Sequence, residues 1–184
     1  IEIWKVLTEL GADRKSLVIN LGGGVVTDLG GFVASTFKRG LDFINIPTTL
    51  LSMVDASVGG KTGVDLGNLK NQIGVINVPQ MVLIDTDYLE TLPQSEMRSG
   101  LAEMLKHGLI YDSAYWKQFL DLKAIDFADF DALIYRSVEI KNDIVIQDPT
   151  EKNIRKALNF GHTLGHAIEG YFLESQTKTT LLHG

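Results

Sequence analysis

The chain has no cysteine among its 184 residues. It therefore has no disulfide frame and no thiolate metal site, and any metal must be held by histidine and carboxylate. Positive charge is also short: 17 Lys and Arg stand against 23 Asp and Glu, a formal net charge of -6. That argues against a nucleic-acid footprint, which needs clustered basic charge, but leaves room for a basic cleft in an acidic protein. No run is long and apolar enough to span a bilayer. No signal peptide is visible, which excludes little in a chain that opens on Ile1 rather than Met. What is present, 45% hydrophobic and 22% charged residues, is an ordinary soluble globular composition with enough chain for one good core or two small ones. Both ends look cut, as if this were an internal piece of a longer protein.

Periodicity predicts an α/β part followed by an all-helical part. Ile3, Val6, Leu7 and Leu10 share one face of a helix that Gly11 can close. Leu17–Leu21 reads as a buried strand running into Gly22-Gly23-Gly24, and residues 25–37 resume a helical period. Phe43–Pro47 is a second strand and residues 48–54 a helix or turn. The glycine-rich stretch 58–71 is an ordered loop, and residues 82–85 a third strand. Strand, glycine turn, helix and strand in that order imply a parallel sheet. After Leu92-Pro93 only helices are predicted, over 95–110, 113–120, 130–145 and 154–173, so the boundary is placed at residue 92.

The most pointed pattern lies in the last of these. Arg155, Asn159, His162 and His166 are spaced four, three and four, which puts them on one face of a helix. A cation, an amide and two imidazoles suit a metal and an oxygen-rich anion better than they suit a core. HExxH is absent, so this is not the usual peptidase motif. Gly23, Gly24 and Val25 open a strand-to-helix turn that lets phosphate approach helix amides, though neither GxGxxG nor a Walker A loop is present. Asp28 can bond a ribose or nicotinamide group or simply cap the helix. Thr48 and Thr49 fit caps or cofactor contacts, and Asp55 fits a turn or a site. Lys61 and Lys70 are plausible anion ligands in the glycine-rich stretch, or solvated there. Glu103, Lys106 and His107 share a helix at three- and four-residue spacings that also fit a surface ion pair. Lys141 beside Asp143 fits a solvated face, and His183 stands alone near the chain end.

The stretches GGGVVTDLGGFVASTFKRG (22–40), IPTTLLSMVDASVGGKTGVD (46–65), ETLP (90–93), SGLAEMLKHGLI (99–110), NFGHTLGHAIE (159–169) and LLHG (181–184) resemble the 3-dehydroquinate synthase family. The resemblance covers essentially the whole chain, which is about half a family member's length. It implies the last part of a Rossmann-like NAD domain (residues 1–92) and the first part of an all-helical metal- and substrate-binding domain (93–184). It implies a cytoplasmic, homodimeric carbon–oxygen lyase of the shikimate pathway, with no nucleic-acid or membrane partner. That enzyme turns 3-deoxy-D-arabino-heptulosonate 7-phosphate into 3-dehydroquinate and phosphate, using NAD and zinc or cobalt. A related sugar-phosphate cyclase or a metal-dependent polyol dehydrogenase is the alternative, with a non-enzymatic anion-binding module if these residues exist only as a fragment.

Carried over by motif, the resemblance implies Glu103, His162 and His183 as metal ligands. NAD would meet Gly23, Gly24, Val25, Asp28, Thr48, Thr49, Lys70 and the stretch Tyr88, Leu89, Glu90, Thr91. Substrate would meet Asp55, Lys61, Asn71, Lys106, Lys141, Arg155, Asn159 and His166, with Arg39 reaching across a dimer and Glu151 and His166 as proton carriers. The segment 170–180 makes the separation of His162 and His183 longer than in many members. These 184 residues alone are expected to be inactive.

Overall fold

The computed structural model describes residues 1–67, 69–120 and 130–174. Helix α1 (Glu2–Glu9) ends in a Schellman turn: Gly11, at φ 74°, donates to Thr8 O, and Ala12 donates to Leu7 O. The predicted face only partly holds. Trp4 and Leu7 pack inward, whereas Ile3, Val6 and Leu10 are exposed. Strand β1 (Leu17–Gly22) pairs in parallel with β2 (Asp42–Pro47), and β2 with the two-residue β5 (Met81–Val82), shorter than the 82–85 strand expected. Helix α2 (Gly24–Thr36) is the crossover. Asn20 and Asn45, opposite each other in the register, share a buried 2.9 Å hydrogen bond. A Cβ at Gly30 would fall 1.9 Å from the Asn20 amide oxygen, so glycine there lets α2 lie on the sheet. Ala34, Phe37, Leu41 and Phe43 form the small core between them.

The glycine-rich stretch is not a loop. Lys61–Leu66 (β3) and Leu69–Ile76 (β4) form an antiparallel hairpin, with Gly63 opposite Gly74. These glycines are close-approach positions rather than breakers: a Cβ on Gly74 would meet Thr62 O at 2.5 Å. The segment after β2 likewise departs from an ordinary helix. Ser52–Ala56 is a π-turn closed by Ser57 N–H to Ser52 O, a distortion frequent at functional sites.

Helices α3 (Gln94–Tyr111), α4 (Ser113–Lys117) and α5 (Phe130–Gln147) follow, and among the described residues no strand occurs after Val82. Their core, with Met104, Tyr115, Ile134, Ile140 and Ile144, also takes in Leu50, Met53 and Val54 from the π-turn region. The first half of the chain thus plugs into the second. Gly100 permits it, since a Cβ there would sit 2.4 Å from Leu50. Beyond α5 the expected single helix is two pieces: a 3₁₀ turn over Ile154–Asn159, a break at Gly161 (φ 82°), and α6 (His162–Glu174). No described helix is long and apolar enough to cross a membrane.

Candidate active site

A cavity of about 620 Å³ opens where α2, the π-turn, the β3–β4 hairpin, α5 and the chain after α5 converge. Its walls carry Asp28, Asp55, Lys61, Asn71, Lys141, Glu151, Arg155, Asn159, His162 and His166. The four residues expected on one helix face do share this cavity, but the break at Gly161, rather than helical spacing, brings them there.

The charges are interlocked. Lys141, buried and not solvated, donates to the Asp55 backbone oxygen and to Asp55 Oδ1, the latter at 2.5 Å. Burial alone would raise the Asp55 carboxyl; the ammonium of Lys141, then that of Lys106, holds it well below the usual range. Asp28 sits in the second turn of α2, past any capping position. Its burial, then the charge of Asp55, pushes its carboxyl up to about 7. Lys61 pairs with Glu151, which also accepts from Asn159 Nδ2. Arg155 is buried. Its terminal nitrogens donate to Pro149 O at 2.8 Å and Gly59 O at 2.9 Å, while its Nε–H has no partner. A buried guanidinium N–H left unpaired is costly.

Backbone strain reaches the cavity wall at Asn71 and Glu151. Among the described residues the non-glycines at positive φ are Lys38, Arg39, Asn71 and Glu151, the last three being site candidates. Asn71 is held at φ 53° by its N–H bond to Asp65 Oδ1. Arg39 is exposed in the turn after α2, away from its own chain's cavity.

Behind the cavity, Glu103, Lys106 and His107 are all buried, so the surface ion-pair alternative is set aside. Lys106 pairs with Glu103. His107 Nδ1 lies 2.7 Å from Ser137 Oγ, its Nε2 is buried without a partner, and burial pushes its pKa down to about 3, leaving a neutral ring. One ligand atom each from Asp55, Glu103 and His107 fall within 4.8 Å of one another. A carboxylate and imidazole donor set of this kind, with an orphaned ring nitrogen, fits zinc or cobalt. The expected set of Glu103, His162 and His183 is not assembled among the described residues: Glu103 groups with Asp55 and His107, His162 lines the cavity, and His183 lies outside the described residues. The rings of His162 and His166 are 5.1 Å apart.

Of the expected cofactor residues, Gly23, Gly24, Val25, Thr48 and Thr49 follow the carboxyl ends of β1 and β2. Thr48 N–H donates to Gly22 O, and a Cβ on Gly23 would touch Thr49 Cγ2 at 3.2 Å, so the glycine turn and the two threonines form one crevice edge. Val25 is exposed there, and the Thr49 hydroxyl is tied to Ser52. In the 3₁₀ turn Thr86–Thr91, Tyr88, Glu90 and Thr91 are exposed, but the Leu89 side chain is committed to the core. Lys70 lies on β4, its side chain outside the described ones.

The models of the 3-dehydroquinate synthase N-terminal and C-terminal regions match residues 1–99 and 100–184. This chain belongs to the 3-dehydroquinate synthase family. It is 48% identical over its whole length to a 3-dehydroquinate synthase of Parabacteroides distasonis, of which it covers 52%. It is 52% identical over 85% of its length to that of Streptococcus pyogenes serotype M49, of which it covers 44%. The chain thus spans about half the length of the curated relatives it matches. Among solved structures it is similar to 2-epi-5-epi-valiolone synthase from Streptomyces hygroscopicus with NAD⁺ and Zn²⁺ bound, at TM-score 0.83 and 30% identity over 95% of this chain and 50% of that one. It is also similar to 2-deoxy-scyllo-inosose synthase complexed with carbaglucose-6-phosphate, NAD⁺ and Co²⁺, at TM-score 0.81 and 27% identity over 97% of this chain and 50% of that one.

Sequence reasoning missed Asp148 and Ser137 altogether and left His107 without a role of its own. The Asp148-Pro149 pair at the end of a helical period was a usable turn signal. Nothing in the sequence pointed to Ser137.

Proposed function

We propose that this chain is about half of a 3-dehydroquinate synthase, an enzyme converting 3-deoxy-D-arabino-heptulosonate 7-phosphate to 3-dehydroquinate and phosphate. The observation that carries the reading is the cavity itself, where the three cations Lys61, Lys141 and Arg155 line one chamber. A substrate bearing one carboxylate and one phosphate is what such a chamber is built to hold. The identity to synthases, 48–52%, exceeds the 27–30% to the two cyclases, which favours this substrate over theirs.

Bound NAD supplies a reversible hydride acceptor and a divalent metal polarises substrate oxygens, so the redox change is transient and net zero. Glu103, His162 and His183 would hold the metal, with His107 behind Glu103. The crevice at Gly23, Gly24, Thr48 and Thr49 would seat the cofactor, with Asp28 toward its reacting end. Lys61, Asn71, Arg155 and Asn159 grip and orient the anionic substrate. Lys141 keeps Asp55 ionised beside it, ready to accept hydrogen bonds from a sugar hydroxyl. Glu151 and His166 would move protons as phosphate leaves. The division at residue 92 belongs to this reading, with the cofactor part before it and the metal and substrate part after. So do a cytoplasmic setting and a homodimer in which the outward Arg39 serves the neighbouring site.

The test uses the full-length parent protein with NAD and zinc, following phosphate released from the heptulosonate phosphate. Release is expected, and its absence with NAD and metal both bound would overturn the assignment. His162→Ala is expected to lose tight metal binding, and retained stoichiometric zinc would remove His162 from the ligand set.

A further inference from the structure

We propose that Asp148 is a positioning residue for the substrate grip: its carboxylate shapes the loop that carries Glu151 and thereby aims Arg155 into the cavity. The inference rests on the synthase reading for its substrate, but its geometry stands by itself.

Asp148 is buried directly after α5. A carboxylate at a helix C-terminus lies at the negative end of the helix dipole, so its position there does not serve the helix. It serves the next seven residues. Oδ1 accepts from Lys152 N–H at 2.9 Å, and Oδ2 accepts from Asn153 N–H at 2.6 Å and Arg155 N–H at 3.2 Å. The Asp148 backbone oxygen accepts from Glu151 N–H at 3.2 Å. Burial would raise this carboxyl, yet the three N–H donors, aided by the Arg155 charge, hold it below the usual range.

Those bonds close a loop that would not hold its shape unaided. Glu151 sits at φ 55°, a left-handed conformation that costs a non-glycine residue of order 1 kcal/mol or more. In that conformation its carboxylate meets Lys61 and Asn159, both on the cavity wall. The same loop gives Arg155 its Pro149 O contact, and Arg155 lines the cavity. Asp148 itself does not line the cavity. Its effect on substrate binding therefore passes through Arg155, whose backbone N–H it holds directly.

Asp148→Asn tests this with little change of size, because one carboxylate oxygen becomes an NH₂ facing backbone donors. In the full-length parent protein with NAD and zinc, the variant is expected to raise KM for the heptulosonate phosphate by about tenfold or more, with kcat within about threefold. In an Arg155→Ala background the same substitution is expected to add less than about twofold, since the residue it positions is gone. A merely structural Asp148 would lower the active fraction and melting temperature, leave KM unchanged, and multiply independently with Arg155→Ala; either of the last two results overturns the proposal. Asp148→Ser, which keeps one acceptor, is read the same way if the Asn variant does not fold. Inorganic phosphate binding by calorimetry separates this inference from the reaction assigned. If the wild type releases no phosphate the synthase reading fails. Weaker anion binding in Asp148→Asn then still supports the positioning role, and equal binding overturns it.

Discussion

At the residue scale the site is governed by pairs whose charges are mutually required. Asp55 and Lys141 are the clearest case, with one 2.5 Å contact and Lys141 buried. Lys141→Met leaves a largely buried carboxylate without its cation and is expected to cost about 3 kcal/mol near neutral pH. Because the folded Asp55 pKa is depressed, its contribution is fully present above the unfolded value and disappears as pH falls below it. The gap between variant and wild type in chemical denaturation should therefore narrow below about pH 4. A pH-independent gap would contradict the pairing. Asp28 has the opposite sign. Its pKa, raised to about 7, means the folded state takes up a proton before the unfolded one, so stability from this site falls as pH rises from about 4 to 7. Asp28→Asn should thus stabilise the protein more at about pH 8 than at about pH 5, with NAD affinity reduced; stabilisation that is equal at both would place Asp28 in an ordinary solvated setting. Composition and spacing alone singled out Asp28, Asp55, Lys61 and the Arg155–His166 stripe, because polar groups stood out against apolar or glycine-rich surroundings. The burial of Glu103, Lys106 and His107 was not legible. A helix's polar face can turn inward when a second helix offers polar partners, here Ser137, and i,i+3 spacing does not distinguish the two cases.

At the element scale the sequence reading went wrong where glycine was counted only as a breaker. Gly63 and Gly74 lie opposite one another in the β3–β4 ladder, where lack of a side chain lets Thr62 and Ile73 carbonyls come close. Gly31 of α2 does the same for the Thr62 methyl, 2.5 Å from where a Cβ would stand. The hairpin matters to function because it holds Lys61 and Asn71 on the cavity wall. Gly74→Ala is expected to cost about 2 kcal/mol through overpacking against backbone. It should weaken substrate binding more than NAD binding, since the crevice at Gly23 and Thr49 lies on the other sheet. Unchanged stability in a thermal melt would show that the strands part easily. The split at Gly161 was hidden for a related reason. The 3₁₀ turn and α6 together keep Arg155, Asn159, His162 and His166 at spacings a continuous helix would also give.

At the scale of the whole molecule, the chain is a family piece with an open flank. Leu17, Ile19 and Leu21 alternate along β1 at 49%, 59% and 54% exposure. Parallel sheets are ordinarily covered on both faces, so this surface lacks its packing partner within the described residues. Since the chain covers about half of its curated relatives, the 184 residues produced alone are expected to self-associate in size-exclusion chromatography and to release no phosphate. A monodisperse, active 184-residue protein would show that nothing further is needed for the site. The order of elements and the α/β-to-helical change were legible because they rest on periodicity. The plugging of Leu50, Met53 and Val54 into the helical core was not, because it depends on which of many apolar residues meet across the two halves.

The central proposal is that one cavity lined by Lys61, Lys141 and Arg155 carries out a redox-neutral elimination and ring closure. The most direct measurement is the balance of products from the full-length parent protein with NAD, zinc and heptulosonate phosphate. The account predicts equal amounts of phosphate and 3-dehydroquinate with no accumulation of NADH. NADH growing in step with substrate consumed, without phosphate, would contradict it and mark a dehydrogenase instead.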